Sequence, residues 1–63
     1  MTNQLLNSKL INLTARIMYQ SYNTIAVDDA FCMAIGEAEV EFDCDINVKL
    51  TEEIKNKIQE ELQ

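Results

Sequence analysis

The apolar positions in the first third of the chain repeat at the spacing of an α-helix. One set is separated by four, three and four positions, which places its members on one helical face: Leu6, Leu10, Leu13 and Ile17. A second apolar set occupies a neighbouring face: Ile11, Met18 and Tyr22. The pattern predicts a helix over residues 3–22 with a wider apolar surface than one small core covers. We therefore expect a layer of protein on each face, one of them supplied by a second copy of the chain.

Two further helices are predicted. The first lies between Thr24 and Ile35 and has a nearly continuous apolar interior, with Gly36 as its C-terminal stop. The last follows Thr51, whose hydroxyl is a good N-cap, with two acids in the first turn where the helix dipole favours them. Its apolar residues step by four: Ile54, Ile58 and Leu62.

Between these helices the pattern changes to period two. From Ala38 to Leu50, apolar and polar residues alternate without interruption, as in a strand with one buried and one solvent-facing side. A hairpin turning at residues 43–45 would shorten this unusually long strand, but the turn has no Gly or Asn to adopt positive φ. We expect one long strand. The predicted fold is a single α+β domain over residues 1–63, in the order helix, helix, strand, helix.

The predicted strand has no partner of comparable length within the chain. Backbone N–H and C=O groups of a strand need a ladder, and an exposed edge invites pairing. We therefore expect a homodimer, in which the strand pairs antiparallel with the same strand of a second copy. The predicted dimer interface combines the second apolar face of the first helix with the apolar side of the strand: Ile11, Met18, Tyr22, Phe42, Cys44, Ile46 and Val48.

Composition argues against most kinds of catalysis. The chain has no His and one Gly, which removes Ser-His and Cys-His catalysis, ordinary zinc sites and phosphate-binding glycine loops. The spacing of Asp43, Asp45 and Asn47 matches the start of a calcium loop, but Val48 and Ile54 stand where that loop needs Gly and Glu. We expect a non-enzymatic protein without a metal, a cofactor or a small-molecule substrate.

Charge is distributed unevenly along the chain. There are 5 basic and 11 acidic residues, for a net charge of −6, and all of the acids lie in residues 28–63. This balance argues against direct binding to nucleic acid or to an anionic membrane surface. No apolar run approaches the roughly 18 residues of a membrane span, and the N-terminus does not resemble a signal peptide. We expect a cytoplasmic protein, with Cys32 and Cys44 as buried, reduced thiols.

The solvent side of the predicted strand carries a row of acids that we predict to bind a partner: Glu39, Glu41, Asp43 and Asp45. Acidic charge steers a protein toward a basic partner. At strand spacing the carboxylates repeat about every 6–7 Å, close to two phosphate steps of DNA, so the partner could be a nucleic-acid-binding protein. The predicted function is regulation or inhibition of a basic partner. The alternative is an assembly module of a larger complex whose acids serve only solubility.

Overall fold

The structure is a computed structural model that describes residues 3–63, and this range contains three α-helices. Helix α1 spans Asn3–Gln20, α2 spans Val27–Phe42 and α3 spans Glu52–Leu62. No residue in the described range belongs to a β-strand. The predicted α+β fold is therefore wrong, and the described chain forms an all-α domain.

Helix α1 is confirmed nearly as predicted. It ends at Gln20, two residues before the expected boundary. Tyr22 and Asn23 then adopt left-handed backbone conformations, with φ of 57° and 59°. The Asn23 N–H donates a hydrogen bond to the Met18 carbonyl at 2.8 Å, which closes the last turn of the helix.

Helix α1 lies between the other two helices, because α2 and α3 each pack on it and barely touch one another. Leu10 and Thr14 are fully buried, and the Thr14 hydroxyl donates to the Leu10 carbonyl at 2.6 Å, so the core leaves no polar group of this threonine unsatisfied. Both apolar faces of α1 are covered, as predicted. Both layers come from the same chain, however, so α1 does not require a second copy.

Helix α2 is longer than the sequence suggested, since it continues through Gly36 to Phe42. Its buried residues keep the helical spacing over the whole length: Ala30, Phe31, Ala34 and Ala38. The helix stops at Asp43, which has a φ of 53° and donates its N–H to the Glu39 carbonyl. The predicted stop at Gly36 is therefore wrong, and an aspartate adopts the left-handed position that glycine usually takes.

The predicted strand over residues 38–50 is wrong in both of its forms, the single strand and the hairpin. Its first five residues belong to α2, where Val40 is 83% exposed rather than buried. The remainder, residues 43–50, is a connection without regular secondary structure and without a β-ladder. Burial still alternates in this connection. Ile46 is buried and Val48 and Leu50 pack partly against the core, while the residues between them are exposed. In residues 46–50 the period-two pattern therefore indicates a connecting segment whose alternate side chains pack on the helices.

Helix α3 is confirmed with its predicted cap. The Thr51 hydroxyl accepts a hydrogen bond from the Ile54 N–H at 3.2 Å, and Glu52 and Glu53 occupy the first turn. Ile54 and Ile58 are buried in the core, and Leu62 is half-buried at its edge. Among the residues described, none of the helices is both long enough and apolar enough to cross a membrane.

Candidate partner-binding surface

Every charged side chain of α2 is acidic. Its sequence holds five acidic residues and no Lys or Arg, and Asp43 and Asp45 follow directly. Glu39 and Glu41 lie in its last turns, where no basic residue is present. The C-terminal end of a helix carries a partial negative charge, so acids there are electrostatically unfavourable. This end of α2 therefore concentrates negative charge at a position where it does not help the helix.

The four predicted partner-binding acids do not form a straight row. Successive helical residues are rotated by about 100°, so Glu39 and Glu41 point to different sides of α2. The comparison with the phosphate spacing of DNA is therefore wrong. The structure nevertheless keeps the four acids close to one another, because all of them line two open hollows that share Gly36 and Val40.

One hollow, of about 510 Å³, lies between α2 and α1, and the other, of about 570 Å³, lies between α2 and the start of the connection to α3. Glu37 and Glu41 line the first hollow, and Glu39, Asp43 and Asp45 line the second. We call the α2 side of these hollows, together with Asp45, the Val40 surface: Gly36, Glu37, Glu39, Val40, Glu41, Asp43 and Asp45. The alternating pattern did not point to Gly36, Glu37 or Val40 as site residues, because only a helical period places them beside the predicted acids.

Val40 is the apolar centre of this surface. Its side chain is 83% exposed, and Met33, two helical turns earlier on the same side of α2, is 54% exposed. Cys32 is also exposed on this side. Grouped apolar side chains on a surface mark sites of interaction more often than single ones do. The Val40 surface thus combines an apolar contact point with neighbouring carboxylates.

The acids of the Val40 surface differ in what they already contact. The Glu41 carboxylate lies 3.3 Å from the Lys9 ammonium, in an ion pair between two exposed side chains that contributes at most about 1 kcal/mol. The Glu39 carboxylate accepts a hydrogen bond from the Ile46 N–H at 2.9 Å. Within residues 3–63, neither Asp43 nor Asp45 forms an ion pair. Glu37 forms none in that range either, but it lines the hollow that also contains Lys9 and Arg16. Asp43 and Asp45 are therefore the unpaired carboxylates that line the hollow without a basic residue.

Glu39 should be important for stability as well as for charge. We expect Glu39→Ala to lower the free energy of unfolding by about 1–3 kcal/mol, because the partly buried Ile46 N–H loses its charged acceptor. Glu39→Gln keeps an acceptor oxygen at the same position and should lose less. Urea denaturation followed by circular dichroism measures both variants. An equal midpoint for Glu39→Ala and the parent would show that this contact does not hold the connection to α2.

The predicted dimer-interface residues do not share one surface. The structure buries Ile11, Met18 and Ile46 inside the chain and leaves Phe42 and Val48 half-buried. Tyr22 and Cys44 are exposed. Because the unpaired strand that led to the homodimer does not form, the homodimer stays a prediction without its original structural basis.

Both cysteines are exposed, so their predicted burial is wrong. Across the described residues, no group of three or more His, Cys, Asp or Glu side chains is placed to hold a metal ion. The Asp43, Asp45 and Asn47 series runs from the end of α2 into the connection to α3, where it does not form a calcium loop.

No protein-family model matches the sequence, and no curated protein and no solved structure is significantly similar to it. Any functional inference therefore depends on the chemistry of the Val40 surface.

Proposed function

We propose that the protein is a small non-enzymatic interaction protein that binds a basic region of another protein through the Val40 surface and thereby regulates or inhibits it. One observation carries the proposal: Val40 is 83% exposed on a helix whose charged residues are all acidic. An apolar contact beside unpaired carboxylates, on the side of α2 that faces away from Lys9 and Arg16, is complementary to Lys and Arg side chains.

Lysine and arginine suit this surface because they are amphipathic. Their aliphatic stems pack on apolar groups while the charged heads stay at the edge of the contact. A stem lying on Val40 would place its head near the Asp43 and Asp45 carboxylates, which line the adjoining hollow. The net charge of −6 would also attract a basic partner from a distance and raise the association rate.

The contrast with α3 supports binding rather than solubility as the role of these acids. In the first turns of α3, Lys55 and Lys57 lie 3.7 Å and 3.6 Å from the carboxylates of Glu52 and Glu53, so each of these acids is paired with a base. Pairing of this kind offsets the repulsion between acids in that part of α3. The C-terminal end of α2 has no such interleaved bases, so its carboxylates repel one another in the free protein.

The proposal is tested by removing charge where the structure leaves it unpaired. The double variant Asp43→Asn with Asp45→Asn removes two charges and keeps the side-chain shape, and Asn tolerates the left-handed backbone of position 43. Proteins from the source cells are captured on the parent and on the variant at low and moderate salt. We expect the parent to retain at least one protein with a pI above about 9, and the variant to retain much less of it.

A matched control separates a local site from overall charge. Glu60→Gln with Glu61→Gln also removes two charges, at exposed positions of α3 that form no ion pair within residues 3–63. We expect this control to bind like the parent and its binding to weaken with salt. If the two double variants lose the partner equally, the Val40 surface has no special role. Retention of the same partners by all three proteins at every salt would favour the assembly module instead.

A further inference from the structure

Four exposed residues of α2 form a hole of the kind that accepts a side chain from a neighbouring helix. When helices pack by knobs into holes, each hole is formed by four residues at positions i, i+3, i+4 and i+7. Met33, Gly36, Glu37 and Val40 have this spacing, and all four are exposed. A β-carbon at Gly36 would meet no atom within 4 Å. The hole is therefore open to solvent, and its floor is bare backbone.

The hole has the shape for a large apolar side chain of another helix. Met33 and Val40 form its two ends, 54% and 83% exposed, and would gain apolar contact on both sides of an inserted side chain. Gly36 allows that side chain to reach the α2 backbone, as small residues do where helices approach closely. An extended peptide would lack the regular projection of side chains that fits successive positions along a helix.

A second copy of α2 is a poor occupant on grounds of charge. An antiparallel pair centred on Gly36 would place Asp29 of each copy opposite Asp43 of the other, and a parallel pair would bring the two Glu37 side chains together. Neither arrangement places a base of α2 opposite these acids, because α2 contains none. The occupant that complements both the hole and its charge is a helix that carries Lys or Arg.

We propose that the partner segment is a basic amphipathic helix that inserts one large apolar side chain between Met33 and Val40; this inference rests on the proposed function. The α1 side of the surface is lined by Lys9 and Arg16, which repel bases. The partner's Lys and Arg residues therefore lie toward the opposite side, near Asp43 and Asp45. The apolar insertion fixes the position of the helix on α2, and the charges fix its orientation.

Two synthetic peptides of roughly five helical turns test this inference. One places Leu on one helical face and Lys on the other, and the second has the same composition in scrambled order. We expect the amphipathic peptide to bind the parent at least about tenfold more tightly than the scrambled one, by isothermal titration, and to become helical on binding, by circular dichroism.

The key variant is Gly36→Leu, which fills the hole without removing charge. Leu is a better helix former than Gly and has open space at this position, so the thermal midpoint should not fall. We expect its affinity for the amphipathic peptide to drop about tenfold, while the weak affinity for the scrambled peptide stays unchanged. A loss of affinity without a loss of thermal stability would exclude unfolding as the cause of the weaker binding.

The outcomes distinguish this inference from the proposed function. If Gly36→Leu binds the amphipathic peptide as tightly as the parent, the partner helix does not insert into this hole. A loss of affinity in Asp43→Asn with Asp45→Asn would then still support binding through the acidic surface. If both peptides bind the parent equally, the partner is a basic segment without a required helix, and the inference fails. Self-association of the parent that Gly36→Leu abolishes, measured by light scattering, would identify a second copy as the occupant and overturn it.

Discussion

Replacing Phe31 with alanine should leave most of the protein unfolded. Phe31 is 3% exposed and belongs to the core that α2 forms against α1. Truncating a buried phenylalanine costs about 3–5 kcal/mol, through lost apolar burial and the cavity left behind. A domain of 63 residues has a total stability of the order of 3–9 kcal/mol. The loss is therefore comparable with everything that keeps the chain folded.

Met33 provides the matched control for this prediction. It lies on the same helix, two residues further along, but is 54% exposed. Met33→Ala should change the free energy of unfolding by less than about 0.5 kcal/mol. Urea denaturation followed by circular dichroism compares the two variants under the same conditions. Equal stability of Phe31→Ala and Met33→Ala would mean that α2 presents a different face to α1.

Gly36→Pro should be nearly as damaging, because Gly36 lies in the middle of α2. Proline cannot donate the N–H of that position, and its ring clashes with the carbonyl of the residue four positions earlier. Together these effects cost about 3 kcal/mol or more in a helix interior. We expect a large loss of helical signal in circular dichroism and a lower denaturation midpoint.

Gly36→Ala should have the opposite effect and raise the free energy of unfolding. Gly36 has no positive φ, and a β-carbon there would meet nothing. Alanine should therefore stabilise the protein by about 0.5–1 kcal/mol, through helix propensity and a less flexible unfolded chain. If alanine destabilises the protein instead, Gly36 ends a helix with a left-handed conformation, as its sequence position first suggested. The proline and alanine variants together decide whether α2 is continuous.

The first and last helices could be predicted from the sequence because each has a single consistent period and a recognisable end. In α3, Thr51 begins the helix and the apolar residues step by four. The second half of α2 was ambiguous, since Ala38 and Phe42 fit a period of two and a period of four equally well. Val40 made the alternation look complete. The structure exposes Val40 and buries Ala34 and Ala38, so the helical period is the one that determines packing.

The candidate surface could be predicted in location but not in arrangement. All of the acids follow residue 27, so the negative region of the molecule was evident from the sequence. The direction of each carboxylate depends on whether the backbone is a strand or a helix, and an error there moves every second side chain to another side. Glu39 illustrates the consequence, because a residue expected to face solvent in a row accepts a hydrogen bond from the Ile46 N–H.

The central position of α1 has a consequence for how substitutions combine. Since α2 and α3 pack on α1 and barely touch each other, a change in the core of one outer helix has few contacts with a change in the other. Energetic effects of separated sites add, whereas those of contacting sites interact. Sequence drift in α2 and α3 is thus largely independent, while Leu10 and Thr14, buried in the central helix, constrain what both outer helices can accept. Epistasis in this small domain should be concentrated in the helix that comes first in the chain.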